Sequence, residues 1–140
     1  MLIGEKKIER PFRWGMIGGG RTANVGPKHR RGALYDNTAF KLVCGAFDVD
    51  PARNVEFGVN LGIDKDRLYP DYKTMIAEEA KREDGVEVID IATPNFLHYE
   101  MVKAALEAGL HVICEKPLFF EVAQGEEILK LAKGKNFSPS

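Results

Sequence analysis

The sequence predicts an α/β domain built on a doubly wound parallel sheet. Three observations carry that expectation. Apolar runs alternate with helix-spaced segments along the chain. The runs are too continuously apolar to keep one face wet, which is the mark of strands covered on both sides. The first run ends in three consecutive glycines before a helical stretch begins.

The elements follow in order. Phe12–Ile17 is a strand stopped by Gly18-Gly19-Gly20. A helix comes next and ends near Tyr35. Phe40–Phe47 is a second buried strand. Asp50-Pro51 supplies an N-cap and a first-turn proline, with Ala52, Val55 and Val59 at helical spacing behind them. Arg67–Tyr69 is a short third strand. Asp71 caps a helix with Tyr72, Met75, Ile76 and Ala80 on one face. A loop ends at Gly85, and Val86–Ala92 is the fourth strand. Asn95 opens a helix with Leu97, Met101, Ala105 and Ala108 inward, stopped by Gly109. Leu110–Cys114 is the fifth strand, and Glu121–Lys133 is the last helix. Residues 1–133 thus form one domain, and residues 134–140 a short irregular tail. Right-handed crossovers give a strand order of 3-2-1-4-5. In such a Rossmann-type sheet, ligands sit beyond the carboxyl ends of the strands at the switch point, here the turns after strands one and four.

Composition narrows the function. With 140 residues, 44% of them hydrophobic, the chain has a core and is not disordered. The longest stretch without a charge, Ile91–Tyr99, is broken by Pro94 and far shorter than the ~20 residues of a membrane span. Met1–Arg13 is rich in charge, so no apolar leader is expected. Cys44 and Cys114 each stand in an apolar run and are expected as free buried thiols of a reducing, cytoplasmic compartment. A net charge of −1 leaves no basic excess for nucleic acid, and no metal site is expected. The first 31 residues do carry eight lysines and arginines against two glutamates, and Lys28, Arg30 and Arg31 cluster there with His29. Such a cluster attracts phosphate, but its default reading is a solvated helix face.

Gly18-Gly19-Gly20-Arg21-Thr22-Ala23 fits G-x-G-x-x-A between a strand and a helix. Gly18 permits the tight turn, Gly20 lets backbone approach a pyrophosphate, and Ala23 lets helix pack on strand. The amides of Gly18, Gly20, Arg21 and Thr22 then face the phosphates with the helix dipole behind them. S-adenosylmethionine enzymes use a similar loop, so the motif alone is not decisive. Pro27 cannot donate a hydrogen bond to Ala23, so the regular helix is shifted toward Pro27.

Asp48 closes the second strand, where a carboxylate accepts both hydroxyls of an adenosine ribose and repels a 2′-phosphate. That favours NAD, while Arg53 nearby leaves NADP open; the plain alternative is a turn aspartate. After strand four, Thr93-Pro94-Asn95 and His98 offer a stiff turn, an amide and a ring nitrogen, against the plain reading of a helix cap and a structural histidine. After strand five stand Glu115 and Lys116, a carboxylate and an amine beside the cofactor crevice. A lysine there can help move a substrate hydroxyl proton as hydride leaves; by default it is a surface charge.

Taken together, Trp14–Gly20, Phe47–Pro51, Ala92–His98 and Ala105–Pro117 resemble the glucose–fructose oxidoreductase, inositol dehydrogenase and rhizopine-catabolism (Gfo/Idh/MocA) family over residues 12–133. The resemblance implies an NAD(P)-binding domain. In it Gly18, Gly20 and the turn through Ala23 hold the pyrophosphate, and Asp48 holds the ribose. Thr93, Asn95 and Glu115 lie on the nicotinamide side, with His98 counted among the cofactor residues. Lys116 is the substrate-facing lysine of the proton relay. It implies sugar, cyclitol or related polyol substrates. Family members are usually more than twice this length and carry a second domain that walls the substrate. Without that domain, weak or absent turnover is expected, because orienting the reactants supplies much of the rate. The open edge at strand five invites homo-oligomers. A non-catalytic dinucleotide sensor is the alternative; a methyltransferase is disfavoured because Thr-Pro-Asn and Glu-Lys-Pro have no role in one.

Overall fold

Four parallel strands form the sheet, in the order β4-β3-β5-β6: β3 (Phe12–Gly18), β4 (Phe40–Ala46), β5 (Val88–Ala92) and β6 (His111–Cys114). They come from a computed structural model that describes residues 2–3, 6–7, 10–20, 25–34, 39–93, 98–114 and 122–134. Two short antiparallel segments, β1 (Leu2–Ile3) and β2 (Lys6–Lys7), precede the sheet. The helices are α1 (Val25–Leu34), α2 (Pro51–Asn60), α3 (Tyr72–Glu79), α4 (His98–Glu107) and α5 (Val122–Gly134). Pro27 falls in the first turn of α1, where a missing N–H removes no helical bond.

Residue alternation in β3 and β5 divides the core into two layers. Trp14, Met16 and Val88 join Phe47 and Leu68 on the α2 side. Ile17, Ile89 and Ile91 join Met75, Met101, Ala105 and Ile128 from α3, α4 and α5 on the other. The central strands are therefore covered on both faces, as a crossover-connected parallel sheet requires. Edge strand β6 departs from this: His111 and Ile113 are exposed, and Cys114 is half-buried. Cys44 is fully buried, and desolvation drives its thiol pKa upward.

The expected third strand contracts to one residue. Residues 65–67 form a 3-10 turn, and Leu68 alone bridges in parallel to Gly45. Tyr69 N–H still reaches the Gly45 carbonyl at 2.9 Å, but Pro70 has no donor to extend the ladder. A buried polar network takes the place of the missing rungs. Glu79 receives Arg67 Nε at 3.0 Å and Nη2 at 2.5 Å, Tyr69 Oη at 2.6 Å and Val86 N–H at 3.0 Å. Glu79, not Ala80, is thus the inward residue at the end of α3.

Helix α2 also turns a different face inward. Val55 and Val59 are exposed, while Asn54 is buried at 1% exposure. Its side-chain oxygen accepts Phe47 N–H at 2.8 Å, and its amide donates to the Tyr69 carbonyl at 2.8 Å. Helical spacing identified the helix but not its buried stripe, because a hydrogen-bonded amide occupies the place where a valine was expected. Ala108, just past the end of α4, is likewise exposed, and Val102 and Leu106 complete the apolar stripe of the helix.

At the amino end of the sheet, Glu87 accepts Arg10 at 2.5 and 3.0 Å and Arg13 N–H at 3.0 Å. The Arg10 hydrogen bond, more than any other influence, holds the Glu87 carboxyl down at about 2. A carboxylate held below its unfolded value stabilises the fold above about pH 5 and loses that contribution as pH falls toward 2. Glu87→Gln should therefore be less stable than wild type near pH 6, with the gap closing near pH 2 in urea unfolding. Glu79→Ala leaves Arg67 buried without its carboxylate and should cost about 3–5 kcal/mol, read from the urea midpoint at neutral pH.

Candidate functional site

The glycine turn sits where three strands end side by side. Ile17 pairs with Ala46 of β4, and Gly18 pairs with Ala92 of β5. Gly18 and Gly19 have φ of 74° and 71°, a left-handed pair that side chains resist. A Cβ on Gly18 would lie 2.7 Å from the Ala92 carbonyl oxygen, and one on Gly20 would lie 2.7 Å from the Phe47 carbonyl oxygen. The glycines are thus needed for backbone packing as well as for any ligand. They leave a cradle with no side chain on the turn, flanked by Phe47-Asp48 on one side and Ala92-Thr93 on the other.

Asp48 is half-buried beyond the end of β4. Its carboxylate accepts Asp50 N–H at 2.9 Å and Arg53 Nη2 at 3.2 Å. The main-chain bond first, and Arg53 after it, hold Asp48 below the usual carboxylate range. It is ionised at neutral pH and able to accept hydroxyls. Arg53 is exposed and stands beside it. On the other flank, Thr93 Oγ1 donates to Met101 Sδ at 3.5 Å. His98 is fully buried and its Nε2 lies 2.9 Å from the Thr93 carbonyl. His98 therefore meets the turn through the Thr93 main chain.

Of the residues singled out from sequence, Gly18, Gly20, Asp48 and Thr93 converge on one end of the sheet, with His98 behind Thr93. Arg21, Thr22, Ala23, Asn95, Glu115 and Lys116 lie outside the described residues. Among the described residues no cluster of His, Cys, Asp or Glu is arranged to hold a metal ion. None of their helices is long and apolar enough to cross a membrane.

The basic cluster of α1 splits. Lys28 and Arg31 are exposed, but His29 and Arg30 turn inward. His29 Nδ1 lies 2.8 Å from both carboxylate oxygens of Asp90, a residue 2% exposed in the middle of β5. The solvated-face reading fails for these two residues. The signal lay in Asp90: a carboxylate within a buried strand requires a buried partner.

A side-chain-free turn at a parallel strand end, with an ionised carboxylate at the end of the neighbouring strand, is the arrangement expected where a sheet of this kind takes a nucleotide ligand. Residues 12–138 match the model of the "Oxidoreductase family, NAD-binding Rossmann fold". The chain belongs to this family, Gfo/Idh/MocA. It is 65% identical to the oxidoreductase YfiI of Bacillus subtilis over 135 residues, which is 96% of this chain and 34% of that protein. It superposes with a TM-score of 0.90 and 51% identity on an inositol dehydrogenase homologue of Azotobacter vinelandii complexed with NADH and myo-inositol, covering 93% of this chain and 34% of that one. An oxidoreductase of Pseudomonas syringae gives 0.89 and 53%, with 93% and 35% covered. The chain thus spans about a third of the length of these relatives.

Backbone packing holds Gly18 and Gly20 to glycine, so the turn carries no side chain between them and the ionised Asp48 that would obstruct a dinucleotide. Gly20→Ala places a methyl against the Phe47 carbonyl and displaces the turn. NADH affinity should fall roughly tenfold or more, about 1.4 kcal/mol, in a fluorescence titration.

Proposed function

We propose that this chain is the cofactor half of an NAD-dependent dehydrogenase acting on a sugar, cyclitol or similar polyol. The observation that carries the reading is the convergence of Gly18, Gly20, Asp48 and Thr93 at the ends of three adjacent strands. Gly18 and Gly20, continued by Arg21, Thr22 and Ala23, seat the diphosphate. Asp48 accepts the adenosine ribose hydroxyls and, by its charge, disfavours a 2′-phosphate. Arg53 beside it keeps NADP as a second cofactor. Thr93, Asn95 and Glu115 border the nicotinamide side, and His98 holds Thr93 in place through its carbonyl.

When bound, the nicotinamide supplies the hydride acceptor. Lys116 is the catalytic residue of the proposal: its amine, when neutral, takes the proton of the substrate hydroxyl as the carbon–hydrogen bond breaks, and the ketone is released. In the opposite direction the ammonium returns that proton. The myo-inositol in the Azotobacter vinelandii complex supports a polyhydroxylated substrate.

The cofactor domain of this reading includes α5 through Gly134, one residue past the boundary expected from sequence. The buried thiol of Cys44 suits a reducing compartment such as the cytoplasm. The half-exposed edge of β6, with Ile113 43% exposed, supports association with a second copy.

The test uses Trp14, the chain's one tryptophan. Exciting it while NADH is added should give saturable energy transfer to the reduced nicotinamide. The 140-residue chain should turn over inositols and sugars weakly or not at all, measured as NADH absorbance, while a chain extended with a substrate domain turns over. No energy transfer at saturating NADH defeats the reading.

A further inference from the structure

One side chain grips the glycine turn from beneath. Arg30, in the second turn of α1, donates from Nη1 to the main-chain carbonyl of Gly19 at 2.6 Å. The same nitrogen lies 3.6 Å from Met16 Sδ, and the guanidinium carbon stands 5.0 Å from the centroid of the Phe57 ring. Arg30 is 9% exposed. Its hydrogen-bond partners among the described residues are neutral, a carbonyl and a thioether. An arginine committed to a buried carbonyl in this way is costly to place, so its geometry calls for a reason.

That reason lies in the peptide unit it holds. A trans peptide is planar, with its C=O and the following N–H pointing in opposite directions. A Gly19 carbonyl drawn inward to Arg30 sends the Gly20 N–H outward, away from the helix. The constraint is needed because Gly19 and Gly20 both lack a Cβ. Gly19 already sits at φ 71°, and no side chain on either residue fixes the orientation of the intervening peptide plane. Turned over, it would present a carbonyl oxygen to an approaching anion in place of a donor.

We propose that Arg30 is a positioning residue of the dinucleotide site: it locks the Gly19–Gly20 peptide plane so that the Gly20 N–H faces the diphosphate. The proposal rests on the cofactor reading above. The buried charge acts in the same sense, adding a positive field beneath the turn that salt does not readily screen. Burial pushes the Arg30 guanidinium below the usual arginine range while Asp90 acts the other way, so an anion on the turn also stabilises the charged side chain. The contact is a single N–H to one oxygen, so lysine can replace it in part, unlike at a bidentate site.

The experiment compares the 140-residue chain as wild type, Arg30→Met and Arg30→Lys. NADH affinity is read by energy transfer from Trp14, and motion of the Gly19 and Gly20 amides by relaxation-dispersion NMR. Arg30→Met should bind NADH at least roughly tenfold more weakly, about 1.4 kcal/mol, with microsecond-to-millisecond exchange confined to the turn. Arg30→Lys should recover most of the affinity and quieten that exchange. An Arg30→Met chain that binds as tightly as wild type, or whose turn is as rigid, overturns the proposal. Should Arg30→Met not fold, the wild type decides: the Gly20 amide proton must shift downfield on adding ADP-ribose, and silence there overturns the proposal even if NADH binds. A wild type that binds no NADH defeats the cofactor reading, while exchange in the free wild-type turn matching that of Arg30→Met would by itself sink the role of Arg30.

Discussion

Three backbones meet within contact distance at one end of the sheet, and the rest of the site depends on that meeting. Gly18 lies against the Ala92 carbonyl and Gly20 against the Phe47 carbonyl, each at a distance that excludes a Cβ. Close-packed backbone has almost no room to adjust. The turn after β3, the aspartate after β4 and the threonine after β5 are therefore set relative to one another by main-chain contact. A ligand that spans them meets a preformed surface, and ordering costs that would otherwise weaken binding are largely met during folding.

Polar side chains, all pointing inward, brace this arrangement from behind. Asn54 ties the end of β4 to the segment at Tyr69, and Glu79 gathers Arg67, Tyr69 and Val86 where a third strand would have run. His29 engages Asp90 inside the sheet, and His98 seals the Thr93 carbonyl. Each group would be expensive to bury alone and is satisfied by a partner outside its own helix or strand. The burden they share is specificity of geometry: an apolar side chain fills space, whereas a hydrogen bond also fixes the orientation of a peptide. Arg30 beneath the glycine turn belongs to the same pattern and is the one whose partner lies in the ligand cradle itself.

Periodicity made the helices and central strands legible, and turn chemistry made the glycine bend and the Asp50 and Asp71 caps legible. In α1, α2 and α3, where expectation and structure part, a polar residue stands at an inward position. Val55 and Val59 mark the helical period of α2, yet Asn54 is what α2 buries. Glu79 lies inward where Ala80 was expected, and His29 and Arg30 point into the core from a cluster that reads as solvent-facing. Hydrophobic pattern cannot see such residues, because their burial is compensated only by partners in other elements.

The sequence by itself determined the order of elements, the burial of the central strands on both faces, and the glycine turn that ends the first strand. These depend on local rules: two-residue alternation in strands, the helical period, and the few residue types a left-handed turn accepts. Only the tertiary structure decided that the third strand shrinks to the Gly45–Leu68 bridge, that Glu79 collects four donors from three residues, and that Arg30 clasps Gly19. Those outcomes join segments between 7 and 23 residues apart along the chain. They follow from which buried polar groups come within hydrogen-bonding distance, a condition that exists only after the sheet and helices have packed.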